Sequence, residues 1–94
     1  MLDAQAAAIR AERARLFASL QSVARAFPSD ANFILFRVPR ADAVFGGLKA
    51  RGVLIKNLSN SHSSLSDCLR VTVGTPEEND RFLGALKESL LQAA

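Results

Sequence analysis

Two cations stand where they could recognise an anion. Arg70 sits inside the alternating run Cys68-Leu69-Arg70-Val71-Thr72-Val73, on the face opposite Leu69, Val71 and Val73. An arginine in mid-strand has to meet an anion, a partner surface or water, and its planar fork suits bidentate carboxylate recognition. Lys56 ends the short apolar run Val53-Leu54-Ile55-Lys56 and could converge with Arg70 on a dianion. Residue types alone leave two plainer readings open: a solvent-facing arginine on an amphipathic strand and an exposed lysine at a strand end.

Other chemistry is sparse. His62 lies in the polar stretch Asn57 to Ser66, where a Ser/His nucleophile pair is conceivable. No G-x-S-x-G elbow surrounds any of these serines, so an exposed loop histidine is expected. One histidine, the single Cys68 and scattered carboxylates give no metal-ligand spacing, and one cysteine allows no internal disulfide. Cys68 begins a strand and reads as structural. Gly46-Gly47 falls inside a helical pattern and runs into Leu48, so it cannot cradle a phosphate as a glycine-rich loop does.

The elements that must position the two cations follow from periodicity. Leu2, Ala6, Ile9, Leu16, Leu20, Val23 and Phe27 recur at helical spacing, which predicts one helix from Leu2 to about Ala26, stopped by Pro28. Ser29-Asp30 makes a turn, and Asn32 to Val38 is a β-rich strand ended by Pro39. Ala41 to Arg51 is a second helix that buries Val44, Phe45 and Leu48. Gly46 and Gly47 weaken it by about 1 kcal/mol each, which implies close packing against a neighbour. Gly52 supplies the positive φ of its C-terminal stop.

Val53 to Lys56 is a second strand, Asn57 to Ser66 a loop with freedom to move, and Cys68 to Val73 a third strand. Thr75-Pro76-Glu77-Glu78 is a capping box with proline at the first helical position, and it opens a helix to about Gln92. That helix buries Phe82, Leu83, Leu86 and Leu90.

The order helix, strand, helix, strand, strand, helix defines a two-layer α+β class, a small, mostly antiparallel three-stranded sheet with its helices on one face. A right-handed crossover makes the first two strands parallel, with the third between them and antiparallel to both, as in half of a ferredoxin-like fold. The other face would carry Arg70, Thr72 and Asn32 or Arg37.

The 94 residues are expected to form a single domain, with 1–27 as lead-in helix and 28–94 as sheet and helices. Net charge is only +3 and the basic residues are interleaved with acids, as in Arg10-Ala11-Glu12-Arg13, which disfavours nucleic-acid binding. No apolar run approaches the roughly 20 residues of a membrane span, and charges at Asp3, Arg10 and Glu12 disfavour a signal peptide, so a cytoplasmic location is expected.

Three segments resemble the C-terminal small domain of histidinol-phosphate aminotransferases: Pro28 to Phe36 (PSDANFILF), Leu48 to Lys56 (LKARGVLIK) and, most specifically, Cys68 to Asn79 (CLRVTVGTPEEN). The likeness extends over essentially the whole chain, the first helix matching the one that leads into that domain. It implies a part of a fold-type I, class I/II transaminase that uses pyridoxal phosphate to move an amino group between histidinol phosphate and 2-oxoglutarate in histidine biosynthesis. It implies a homodimer when full length and amino-acid and keto-acid substrates, with no nucleic acid and no membrane as partners.

By that resemblance Arg70 takes the substrate carboxylate, and Lys56 stands where the family carries an arginine for the anionic end. Lysine keeps the charge and loses the fork. The family's catalytic lysine and its cofactor-binding residues belong to its large domain, and Lys49, Lys56 and Lys87 do not match that motif. No catalytic, cofactor or metal residue is therefore expected in this chain, which alone should be inactive. The alternative is a stand-alone, non-catalytic α+β binding or assembly module derived from the same domain.

Overall fold

A computed structural model describes residues 3–29 and 31–93. The elements are α1 (Asp3–Gln21), β1 (Arg25–Ala26), β2 (Phe33–Arg37), α2 (Ala41–Ala50), β3 (Lys56–Asn57), a short 3-10 turn (Ser63–Leu65), β4 (Cys68–Thr72) and α3 (Pro76–Ala93). The sheet order is β1-β2-β4-β3 with every pair antiparallel. β4 thus lies between β2 and β3 and antiparallel to both, as the crossover argument requires.

The α+β class holds, with corrections. The sheet has four strands, not three, because the expected first helix ends early. Tight turns bring the Ala24 N–H to the Leu20 carbonyl (2.8 Å), and the Gln21 side chain accepts from the Ala26 N–H (3.0 Å). Ala26 is then free to pair with Phe36, and that strand pairing outweighs the helical spacing of Val23 and Phe27. Of the expected apolar stripe, Leu16 and Leu20 are fully buried, whereas Ile9 is left exposed in an open groove that it lines with Val73 to Pro76. Leu2 and Asp30, which carried the expected helix start and turn, lie outside the described residues.

The second expected strand is displaced toward its end. Only Lys56 and Asn57 pair with β4, opposite Arg70 and Leu69. Residues 53–55 are spent leaving α2: the Val53 N–H bonds back to the Leu48 carbonyl (2.9 Å), and Leu54 points outward. A cleft of about 310 Å³ opens where this segment diverges from the far end of β4.

One core holds these elements. Ile34 and Phe36 of β2 and Leu69 and Val71 of β4 face Val44 and Leu48 of α2 and Phe82, Leu83 and Leu86 of α3. Phe36 and Phe82 meet edge to face at 5.8 Å between ring centres. Leu90 is only partly buried at the edge of this cluster, as is Phe45.

The local signals around the helices perform as the chemistry requires. Thr75 Oγ1 accepts from the Glu78 N–H (3.2 Å), and Glu78 Oε1 accepts from the Thr75 N–H (2.9 Å). These bonds hold the Glu78 carboxyl below its usual pKa, the backbone bond from Thr75 being the larger cause. Gly52 has φ +79° at the exit of α2. Gly47, but not Gly46, is closely packed: a Cβ there would lie 2.8 Å from Ser89 Oγ of α3. Ser89 is itself buried, and its hydroxyl has no hydrogen-bond partner among the described residues.

Candidate anion-binding face of the sheet

Residues directly opposite in an antiparallel pair share a face. The register therefore sets Leu35, Arg70 and Lys56 in one row across β2, β4 and β3. This row lies on the sheet face away from the core, and adjacent strands run about 5 Å apart. The two cations singled out in the sequence are brought together by two separate strands.

Arg70 is half-buried and Lys56 exposed. The Arg70 guanidinium lies 4.7 Å from the ring centre of Phe33, its diagonal neighbour on β2. This contact accounts for an aromatic ring left 39% exposed on the open face. The ion pairs among the described residues join Arg15 to Glu12 and Asp80, and Arg51 to Glu88, so Arg70 and Lys56 have no carboxylate partner among them. The four strands themselves contain no acidic residue. Such a face can hold an anion between a planar fork and a mobile ammonium.

The remaining basic residues of this face are differently engaged. Arg25 and Arg37 stand opposite each other, both close to the Phe27 ring (5.5 and 5.6 Å). Arg37 also donates to the carbonyls of Ser64 and Ser66 (2.9 and 3.0 Å), fastening the 3-10 turn.

The polar stretch after β3 is tied down at both ends. Asp42 Oδ1, in the first turn of α2, accepts from Asn57 Nδ2 (2.9 Å) and from the Ser59 hydroxyl (2.6 Å). Those bonds, the Ser59 one first, hold the Asp42 carboxyl below its ordinary pKa. His62 is exposed at the start of the 3-10 turn. Its Nδ1 accepts from the Ser64 N–H (3.1 Å) and meets Ser64 Oγ at 2.7 Å. Both contacts are local to the turn. Cys68 is fully buried.

Three residues bearing on this face escaped the sequence reading. Phe33 could be matched to Arg70 only once the register was known. Asp42 looks like any first-turn acid. Asn79 is 1% exposed and braces the exit of β4: its Oδ1 accepts from the Gly74 N–H (2.9 Å), and its Nδ2 donates to the Gly74 carbonyl (3.1 Å) and to Glu12 of α1 (2.7 Å). It ends the Cys68–Asn79 segment that carries the resemblance, but a polar residue one turn inside a helix start was the only sign of its bracing role.

Lys49, Lys56 and Lys87 are exposed on α2, β3 and α3. No helix among the described residues is long and apolar enough to cross a membrane.

Known proteins share this fold. No family model matches the chain. The histidinol-phosphate aminotransferase of Clostridium acetobutylicum superposes with a TM-score of 0.80 at 25% identity, over 89% of this chain and 27% of that one. A decarboxylase from Sulfurospirillum multivorans superposes with 0.76 at 27% identity, over 84% and 24%. The fold is therefore similar to an α+β part of aminotransferase and decarboxylase structures. In sequence, the histidinol-phosphate aminotransferase of Methylibium petroleiphilum is 60% identical over 85 residues, 88% of this chain and 23% of that protein. The chain is a homologue of the C-terminal part of histidinol-phosphate aminotransferases, and it spans about a quarter of the length of the curated relatives it matches.

Proposed function

We propose that this chain is the C-terminal part of an aminotransferase that moves an amino group between histidinol phosphate and 2-oxoglutarate. In this reading Arg70 receives the substrate carboxylate and Lys56 stands by for the anionic end. The observation that carries it is the Arg70–Lys56 row, two cations aligned on an open face with no acid in the sheet to neutralise them. A bidentate carboxylate contact at Arg70 would fix the substrate Cα, which is the protein's share of the work in a cofactor enzyme. Pyridoxal phosphate, when bound, supplies the electron sink for amino transfer, and residues beyond these 94 hold it. The full-length enzyme is a cytoplasmic homodimer, and the chain alone does not transaminate.

Arg70→Ala in the full-length enzyme tests the reading. Removing one partner of a desolvated charge pair costs about 2 kcal/mol or more, so kcat/KM for glutamate should fall roughly 30-fold or further. Cofactor retention, followed by its absorbance, should not change. An unaltered kcat/KM for glutamate would sink the assignment. An immunoblot of source cells separates this reading from a free-standing module. A band several times 10.1 kDa supports the enzyme, and one at that mass supports the module.

A further inference from the structure

Resting on the reading above, we propose that Asp42 is a positioning residue for Lys56 and thereby sets the site's discrimination for a phosphate monoester dianion. β3 is two residues long and lies at the sheet edge, so its strand pairing fixes little. Lys56 points to the open face, and the next side chain, Asn57, points to the other. There Asp42 receives Asn57 Nδ2 at 2.9 Å and the Ser59 hydroxyl at 2.6 Å. Asn57 Oδ1 in turn accepts from the Ser59 N–H (2.9 Å), closing a small ring of bonds immediately after Lys56.

Asp42 belongs to α2, which is anchored in the core through Ala41, Val44 and Leu48. The carboxylate thus transfers the rigidity of a packed helix to an edge strand that has little of its own. A lysine gains most from this arrangement. Its ammonium is a point charge on a flexible stem, so the backbone beneath it must be fixed if the charge is to be placed. Arg70 needs no such help, because β4 is paired on both sides and its guanidinium lies against Phe33.

A double-mutant cycle in the full-length enzyme tests this. Lys56→Ala should raise KM for histidinol phosphate roughly tenfold, as expected for the loss of a charge-assisted bond, with kcat little changed. Asp42→Ala alone should raise that KM about threefold, and in the Lys56→Ala background it should add nothing. Asp42→Asn keeps an acceptor oxygen without the charge that strengthens its bonds, and its KM should fall between those of the parent and Asp42→Ala. Histidinol, which lacks the phosphate, should be turned over equally by the parent and both Asp42 variants.

A loss of kcat shared by both substrates, or an additive cycle, would mean that Asp42 only supports the fold and would overturn the proposal. If Lys56→Ala changes nothing, the site reading itself fails and the proposal with it. If Lys56→Ala acts while Asp42→Ala does not, only the proposal fails.

Discussion

β4 and β3 each carry one cation of the candidate site, yet they are held by different means. β4 is five residues long, paired on both sides, and buries Leu69 and Val71 in the core. β3 is two residues long, pairs on one side, and leans on a side-chain tether from α2. Arg70 is therefore placed by hydrophobic burial and strand register, and Lys56 by polar contacts at the surface. Apolar burial neither titrates nor is electrostatically screened, whereas exposed charged tethers respond to both pH and screening by salt. One site combines a fixed fork with an adjustable charge.

The sharpest way to break this contrast is to remove what holds β4. Phe36→Ala deletes a fully buried ring that packs on Phe82 directly beneath the β2–β4 pair. A loss of about 3–5 kcal/mol is expected, and a chain of this size should be largely unfolded in a denaturant or thermal melt. A stable variant would show that β4 is held by something other than the shared core.

A smaller effect is expected at the exit of the same strand. Asn79→Ala leaves the Gly74 backbone groups and the Glu12 carboxylate without their buried partner. About 2 kcal/mol of stability should be lost. Hydrogen exchange should quicken in the 74–79 turn and in α1 more than at Lys56. Equal loosening of β3 would contradict the separation of the two regions.

The smallest effect should be confined to β3. Asp42 has its folded pKa depressed by the Ser59 and Asn57 bonds, so its contribution is present above the unfolded value. That contribution is lost as pH falls through the folded value, below roughly pH 4. The Leu58 amide, bonded to the Cys68 carbonyl at 3.1 Å, should lose exchange protection in that window before the amides of β4 do. Simultaneous loss in both strands would mean that the tether does not act locally.

How legible each part was in the sequence depends on the range of the interaction that decides it. The Thr75–Glu78 capping box lies within four residues, so residue types alone sufficed. The β4 alternation was equally clear, although only the register revealed that Phe33 sits against Arg70. β1 was hidden because Val23 and Phe27 satisfy helical spacing, and only pairing with a strand ten residues further on decides otherwise. The start of α2 at Ala41 was read from the sequence, but what caps it was not. Arg40 lies there in the left-handed region and offers no side-chain cap, and the Ala41 N–H is met instead by Asp67, at 3.3 Å. That residue is distant in the chain and left-handed itself (φ 58°).

The close meeting of Gly47 and Ser89 carries a consequence for how such sequences can diverge. A methyl group added at position 47 would crowd both Oγ and Cβ of Ser89, at 2.8 and 3.0 Å, so the hydroxyl must turn away and α2 and α3 must yield by a few tenths of an ångström. A residue larger than alanine at 47 therefore favours a glycine at 89 or a wider helix crossing. Positions 47 and 89 should covary across homologous chains, the sum of their side-chain volumes staying nearly constant while each is free to change.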